Sequence, residues 1–280
     1  MMRTVDLREH ISKPNQSPAP SRWMRRMDLL FVMLLSFLTA CDAIQDVVGP
    51  QLPTEARPIE QLPSAEAYMV AILDAAQAEP GEISDTLIAI RENTDQLLWK
   101  GPPEDQKVLM VTWTSWDGYV PNLGKEMELT LDVWVTAVPE LQDFCGAYPS
   151  DDKVPVDRRL KQLLGLPLDS NKTKFVEMWV NPANMFRPCP DPEITDHTCE
   201  IDFPADVSAA HVAWFEMNQA ENEAAFPWTK LGYTYDWGNP KSEVGFSEFV
   251  VRRASIVEIH SITPTADYCR DSTAASVGRR

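Results

Sequence analysis

The sequence predicts an α+β fold, a mainly antiparallel sheet with a few helices, stapled by disulfides; three features carry that expectation. Helical patterns gather early in the folded part, whereas runs of β-branched and aromatic residues dominate later. The clearest of those runs alternates in polarity, as a strand does when one face lies in the core and the other does not. Cys145, Cys189, Cys199 and Cys269 form an even set able to close two bridges.

Ser64 caps a helix expected to reach about Ala78, with Tyr68, Ile72 and Ala75-Ala76 as its apolar stripe and Pro80-Gly81 as its stop. A shorter helix, capped by Ser84, is expected from Asp85 to about Arg91. Lys107 to Trp116 reads as a strand bounded by Asp117-Gly118. Glu128 to Val138 alternates cleanly. Leu129, Leu131, Val133, Val135 and Ala137 point one way; Glu128, Thr130, Asp132, Trp134 and Thr136 point the other. Residues 156–164 form a short helix stopped by Gly165 and Pro167. Phe175 to Val180 is a further strand, followed by an irregular proline-rich stretch from Pro182 to Pro204. Asp206 or Ser208 caps a helix through about Ala224, and strands over Tyr233–Trp237, Val244–Val251 and Ser255–Ile262 complete the set. No internal repeat or low-complexity tract interrupts them.

Ahead of this domain, Arg25-Arg26 precedes a run of about ten apolar residues, Leu29 to Leu38, too short to span a bilayer stably. These are the charged and apolar regions of a secretory signal. The run ends in Leu38-Thr39-Ala40-Cys41, which resembles the lipobox of bacterial lipoproteins. The resemblance covers residues 24–42 alone. It implies a diacylglyceryl group on the Cys41 thiol and acylation of the new amino terminus. Several chains hold a protein firmly, where a single myristoyl chain binds only marginally. Asp42 resembles the residue that keeps enterobacterial lipoproteins at the inner membrane. Residues 1–40 are therefore expected to be a signal segment whose working start can be Met24. Residues 41–63, broken by Gly49-Pro50, Pro53, Pro58 and Pro63, are expected to be a semi-extended tether, and residues 64–280 a single domain.

Six of the 25 basic and three of the 42 acidic residues precede Cys41, so the remainder carries a formal charge of −20. That argues against nucleic acid and anionic lipid surfaces as direct ligands. With Cys41 acylated, the other four cysteines are free to pair. Four allow three pairings. The nine-residue spacing favours Cys189 with Cys199, leaving Cys145 for Cys269. The spacings lack the short ligand pair of a zinc site.

No phosphate-binding glycine loop, zincin helix, EF-hand loop or nucleophile elbow is present in the sequence. Four constellations remain. Asp191, Glu193, Asp196 and His197, inside the short cysteine loop, could hold a divalent cation. Asp132, Glu177, Asp236 and Glu248 sit in strand runs with apolar neighbours, and carboxylates gathered on one sheet face can act as a general acid and base. His197, His211 and His260 are scattered. The tryptophans and tyrosines suit either a core or a sugar-binding surface, with Trp134 on the polar face of its strand.

The resulting expectation is a membrane-anchored cell-envelope lipoprotein, on the periplasmic side, presenting a non-catalytic domain that binds or assembles with an envelope protein or glycan. The alternative is a periplasmic hydrolase acting on glycan or another envelope substrate, with or without a metal. Its groups would be Asp132, Glu177, His211 and Asp236, with Trp134 or Tyr235 as the ligand platform. Two carboxylates, or a carboxylate and an imidazole, sharing a concave pocket lined by exposed rings would favour the alternative.

Overall fold

The computed structural model describes residues 64–92, 94, 96–149 and 152–270, all within one compact unit. The signal segment, Cys41, Asp42 and the tether lie outside the described residues. Helix α1 (Ser64–Ala75) buries Ala67, Tyr68, Ala71, Ile72 and Ala75, one stripe at helical spacing. It stops short of Ala78, and Pro80 opens a single 3₁₀ turn instead.

The helix expected over 85–91 does not form. This segment is extended, and its N–H groups find distant acceptors: Leu87 donates to the His197 carbonyl (3.0 Å), Ile90 to that of Ile194 (2.7 Å) and Ile88 to Ser247 Oγ (2.7 Å). Leu87, Ala89 and Ile90 are thereby buried. Two turns of isolated helix are marginal, and the long-range partners outcompete them.

Strands β1 (Trp99–Lys100) and β2 (Lys107–Thr114) pair antiparallel. The long alternating run then divides, against expectation, into β3 (Glu126–Glu128) and β4 (Val133–Ala137). Leu129 exchanges backbone hydrogen bonds with Ala254 and Ser255, and Asp132 accepts the Arg253 N–H. These bonds hold the chain in a crossing between opposite sides of the sheet, and Leu131 is left 73% exposed. Helices α2 (Glu140–Ala147), which the sequence reading did not include, and α3 (Val156–Leu163) follow, with Gly165 at φ +63° ending the second. Then come β5 (Lys174–Val180), β6 (Met185–Phe186) and α4 (Ala209–Asn222), whose Ser208 cap accepts the His211 N–H. The chain closes with β7 (Tyr233–Tyr235), β8 (Val244–Ser247), β9 (Phe249–Val251), β10 (Ile256–Pro264) and the short α5 (Thr265–Tyr268).

The main sheet has eight strands in the order β3-β10-β5-β2-β4-β9-β6, with β1 added beside β2, and all its pairings are antiparallel. Strands β7 and β8 form a separate pair. One sheet face buries Val108, Met110, Val135, Val176, Met178, Phe249 and Ile259 beneath Ile90, Leu97 and Tyr119. The other buries Leu109, Val111, Trp113 and Phe175 against Leu141 and Cys145 of α2, Leu160 of α3 and Tyr268 of α5. Cys145–Cys269 ties α2 to the end of β10 and α5, and Cys189–Cys199 closes the proline-rich loop, at Cα separations of 4.9 and 6.5 Å. Among the described residues no helix is long and apolar enough to cross a membrane.

A split in the sheet as the candidate functional site

Strands β2 and β4 pair at two positions only, Met110 with Ala137 and Val111 with Thr136. Beyond them the strands part. β2 stays on β5 as far as Lys174, whereas β4 turns away with β9. On the β4 side the Trp134 ring packs on Trp214 of α4 (6.0 Å) and Trp228 (5.8 Å). A cleft of about 740 Å³ opens in the resulting V, a volume typical of small-molecule sites. Val111–Thr114 from one strand and the whole stretch Leu129–Thr136 leading into the other line it. Leu164 to Leu166 and Phe226 to Trp228 close the sides.

The lining is mostly apolar. At its mouth stand Trp116 (50% exposed), Leu131 and Phe226 (39%), three large apolar side chains that the fold leaves in water. Its titratable side chains are Tyr119, Asp132, Lys172, Tyr235 and Glu248.

Glu248 is the chemically distinctive one. It sits between β8 and β9, where a run expected to be one strand changes sheets, and its N–H donates to the Gly232 carbonyl (2.9 Å). The β4–β9 register places Phe249 opposite Val135. The next step puts Glu248 beside Thr136, at the closed apex of the V. Burial alone pushes its carboxyl up to about 8, with no hydrogen bond or neighbouring charge contributing. A carboxyl there keeps its proton at neutral pH and accepts no hydrogen bond from the described residues. Tyr119 is likewise pushed up by burial, to about 12.

The sequence-derived candidates occupy separate places. Asp132 lines the cleft, but Oδ2 accepts Trp214 Nε1–H and Oδ1 accepts the Arg253 N–H, both at 2.7 Å. Glu177 accepts from Ser261 Oγ (2.8 Å) and the Tyr268 hydroxyl (3.0 Å). Asp236 is held bidentate by Arg159 at 2.7 and 2.5 Å. His211 lies buried against Phe186, its Nε2–H donating to the Cys189 carbonyl (2.8 Å). Burial lowers its pKa, which keeps the ring neutral. None of the last three lines the cleft. Trp134 and Tyr235, the two platform candidates, both do, with the Tyr235 hydroxyl turned to Asp74 (2.7 Å).

In the cysteine loop, Asp191 accepts the Glu193 N–H, Glu193 accepts those of Thr195 and Asp196, and Asp196 that of Thr198. His197 Nδ1 lies 2.7 Å from the Leu87 carbonyl. The polar groups fold the loop back on itself, and among the described residues no three acidic, His or Cys side chains converge as metal ligands. Arg187, fully buried, completes the loop with bonds to the carbonyls of Ile88, Glu193 and Asp196.

Glu248 stands out in the sequence as a lone charge inside Val-Gly-Phe-Ser-Glu-Phe-Val-Val, but nothing local shows that it marks a change of sheet. Comparison with protein-family models, with curated proteins and with solved structures gave no match.

Proposed function

We propose that this chain is a lipid-anchored protein of the bacterial cell envelope whose domain binds a small molecule with an apolar body. The anchor rests on the signal and lipobox ending at Cys41. The binding role rests on one observation: a mostly apolar cleft of about 740 Å³, mouthed by exposed aromatic and aliphatic side chains, with an unpartnered carboxyl at its apex. Burying such walls against a ligand recovers about 25 cal/mol for each Å² removed from water.

Binding is favoured over hydrolysis because Asp132, the other carboxyl of the cleft, is committed: it already accepts hydrogen bonds from Trp214 Nε1–H and the Arg253 N–H.

Tryptophan emission of the full-length protein reads out the cleft, because Trp113, Trp116, Trp134 and Trp228 line it. Titration with small alcohols and amphiphiles should shift that emission and raise the melting temperature. Turnover of envelope glycans, esters or phosphoesters that disappears in Glu248→Gln would replace this reading with the hydrolase one. Cys41→Ser should abolish labelling by a fatty-acid probe; undiminished labelling would remove the anchor.

A further inference from the structure

We propose that the ligand is an amphiphilic amine, its ammonium seated on the Glu248 carboxylate at the apex and its apolar body running out toward Trp116, Leu131 and Phe226. This rests on reading the cleft as a ligand site, and it adds the chemistry of the ligand.

Three observations select the head group. Among the described residues no donor reaches the half-buried Glu248 carboxyl, which leaves it open to one from a ligand. The cleft carries two carboxyls, Asp132 and Glu248, against one ammonium, Lys172, in a chain of net charge −17. A carboxylate ligand would meet a repulsive field on approach to so acidic a chain, whereas a cation is drawn in and ion-pairs with Glu248 as that carboxyl ionises. An ammonium also satisfies all of its donors only where acceptors cluster, and the Thr136 hydroxyl neighbours Glu248 in the register. The walls then select the body. Val111, Trp113, Trp134 and Leu166 offer no charge for a second polar group to meet. The volume exceeds what a lone lysine side chain of a partner protein would fill, which favours a free small molecule.

Seating the ammonium ionises Glu248, so binding releases a proton from the carboxyl to solvent. The other titratable groups of the cleft do not compete for this role between pH 6 and 8. Tyr119 is held protonated by burial and Tyr235 is raised further still by burial and Asp74, while Asp132 is occupied by Trp214 and Arg253. Lys172 lines the same cleft and opposes an incoming cation.

Octylamine, octanol and octanoate share a body and differ in head group. They would be titrated into the full chain, produced unacylated as Cys41→Ala, by calorimetry and tryptophan emission. Octylamine should bind tightest. With a free-protein carboxyl near 8, its affinity should rise about fiftyfold from pH 6 to pH 8, and near pH 6 about one proton should be released per ligand. Glu248→Gln should lower octylamine affinity by about tenfold or more and flatten the pH profile. Lys172→Ala should tighten octylamine a few-fold, an independent check should the Gln variant fold poorly. Equal or tighter binding of octanol or octanoate, or a flat pH profile in the parent protein, overturns the amine assignment and leaves a binding cleft. Failure of all three to bind overturns both readings.

Discussion

Replacing Asp236 by alanine tests whether this carboxylate supports the structure or is available for chemistry. Asp236 is 3% exposed and receives two charge-assisted hydrogen bonds from Arg159, itself 16% exposed, with a further bond from the Gly238 N–H at 3.1 Å. Removing it leaves a largely buried guanidinium without its carboxylate, 5.4 Å from the Phe144 ring. Breaking a buried pair from one side typically costs about 3–5 kcal/mol, because the surviving charge has lost its compensation. Against a total stability of about 5–15 kcal/mol, the urea midpoint should fall by roughly a third. Replacing both partners by apolar residues, Arg159→Met with Asp236→Leu, removes the orphaned charge and should recover about 2 kcal/mol of that loss. Urea unfolding followed by tryptophan emission measures all three variants, with Trp237, 3% exposed, adjacent to the change. A loss below about 1 kcal/mol, with additive single effects, would refute the argument. Asp236 would then return as a candidate catalytic group.

Cutting the two disulfides should separate them by loop length. The bridges span 124 and 10 residues, so paired alanine substitutions should cost about 5 kcal/mol for Cys145–Cys269 and about 3 for Cys189–Cys199 in denaturant melts; the reverse order would contradict the chain-entropy account. Glu140, whose Oε2 is buried without a partner, is pushed from 4.5 up to about 7 by burial. The folded state therefore keeps a proton that the unfolded state has released, and stability should fall by about 3 kcal/mol as pH rises from about 4.5 to 7. Glu140→Gln should reduce that fall by the same amount, and an unchanged slope in melts at pH 5 and 8 would contradict it. Gly232 sits at φ +77°, and a Cβ there would lie 2.6 Å from Arg187 Cδ, so Gly232→Ala should lower stability by about 1–3 kcal/mol; an unchanged melting temperature would show that Arg187 moves freely.

Much of the architecture was legible because local signals and tertiary demands agree. Ser208 caps α4 as its side chain suggests, Gly165 ends α3, and the short-loop argument gave both cysteine pairs. What escaped were places where a continuous pattern changes partner. Glu126 to Ala137 keeps strand-like alternation across the break, because polarity records which face a residue takes and not which strand it pairs with. The same blindness covers Val244 to Val251, and the residue at that break is Glu248. Of the groups chosen as catalytic, Asp132 reached the cleft; Glu177 and Asp236 are charges that found partners from segments far along the chain. Such partners cannot be read from spacing. Segment 85–91 failed for the related reason that its acceptors lie about a hundred residues away, a distance no local propensity registers.

The outer strands of the sheet bear on how these molecules tolerate one another at high density. β3 is three residues long and presents Glu126 and Glu128, while β6 is two residues long and runs at once into Pro188, Pro190 and Pro192. Neither offers a flat row of free backbone groups long enough for another copy to zip onto. The edges of β2 and β4 that part across the V line the cleft, with Trp113 and Trp134 among its walls. Outer strands this short, charged or followed by prolines disfavour the growth of one copy onto another into fibres.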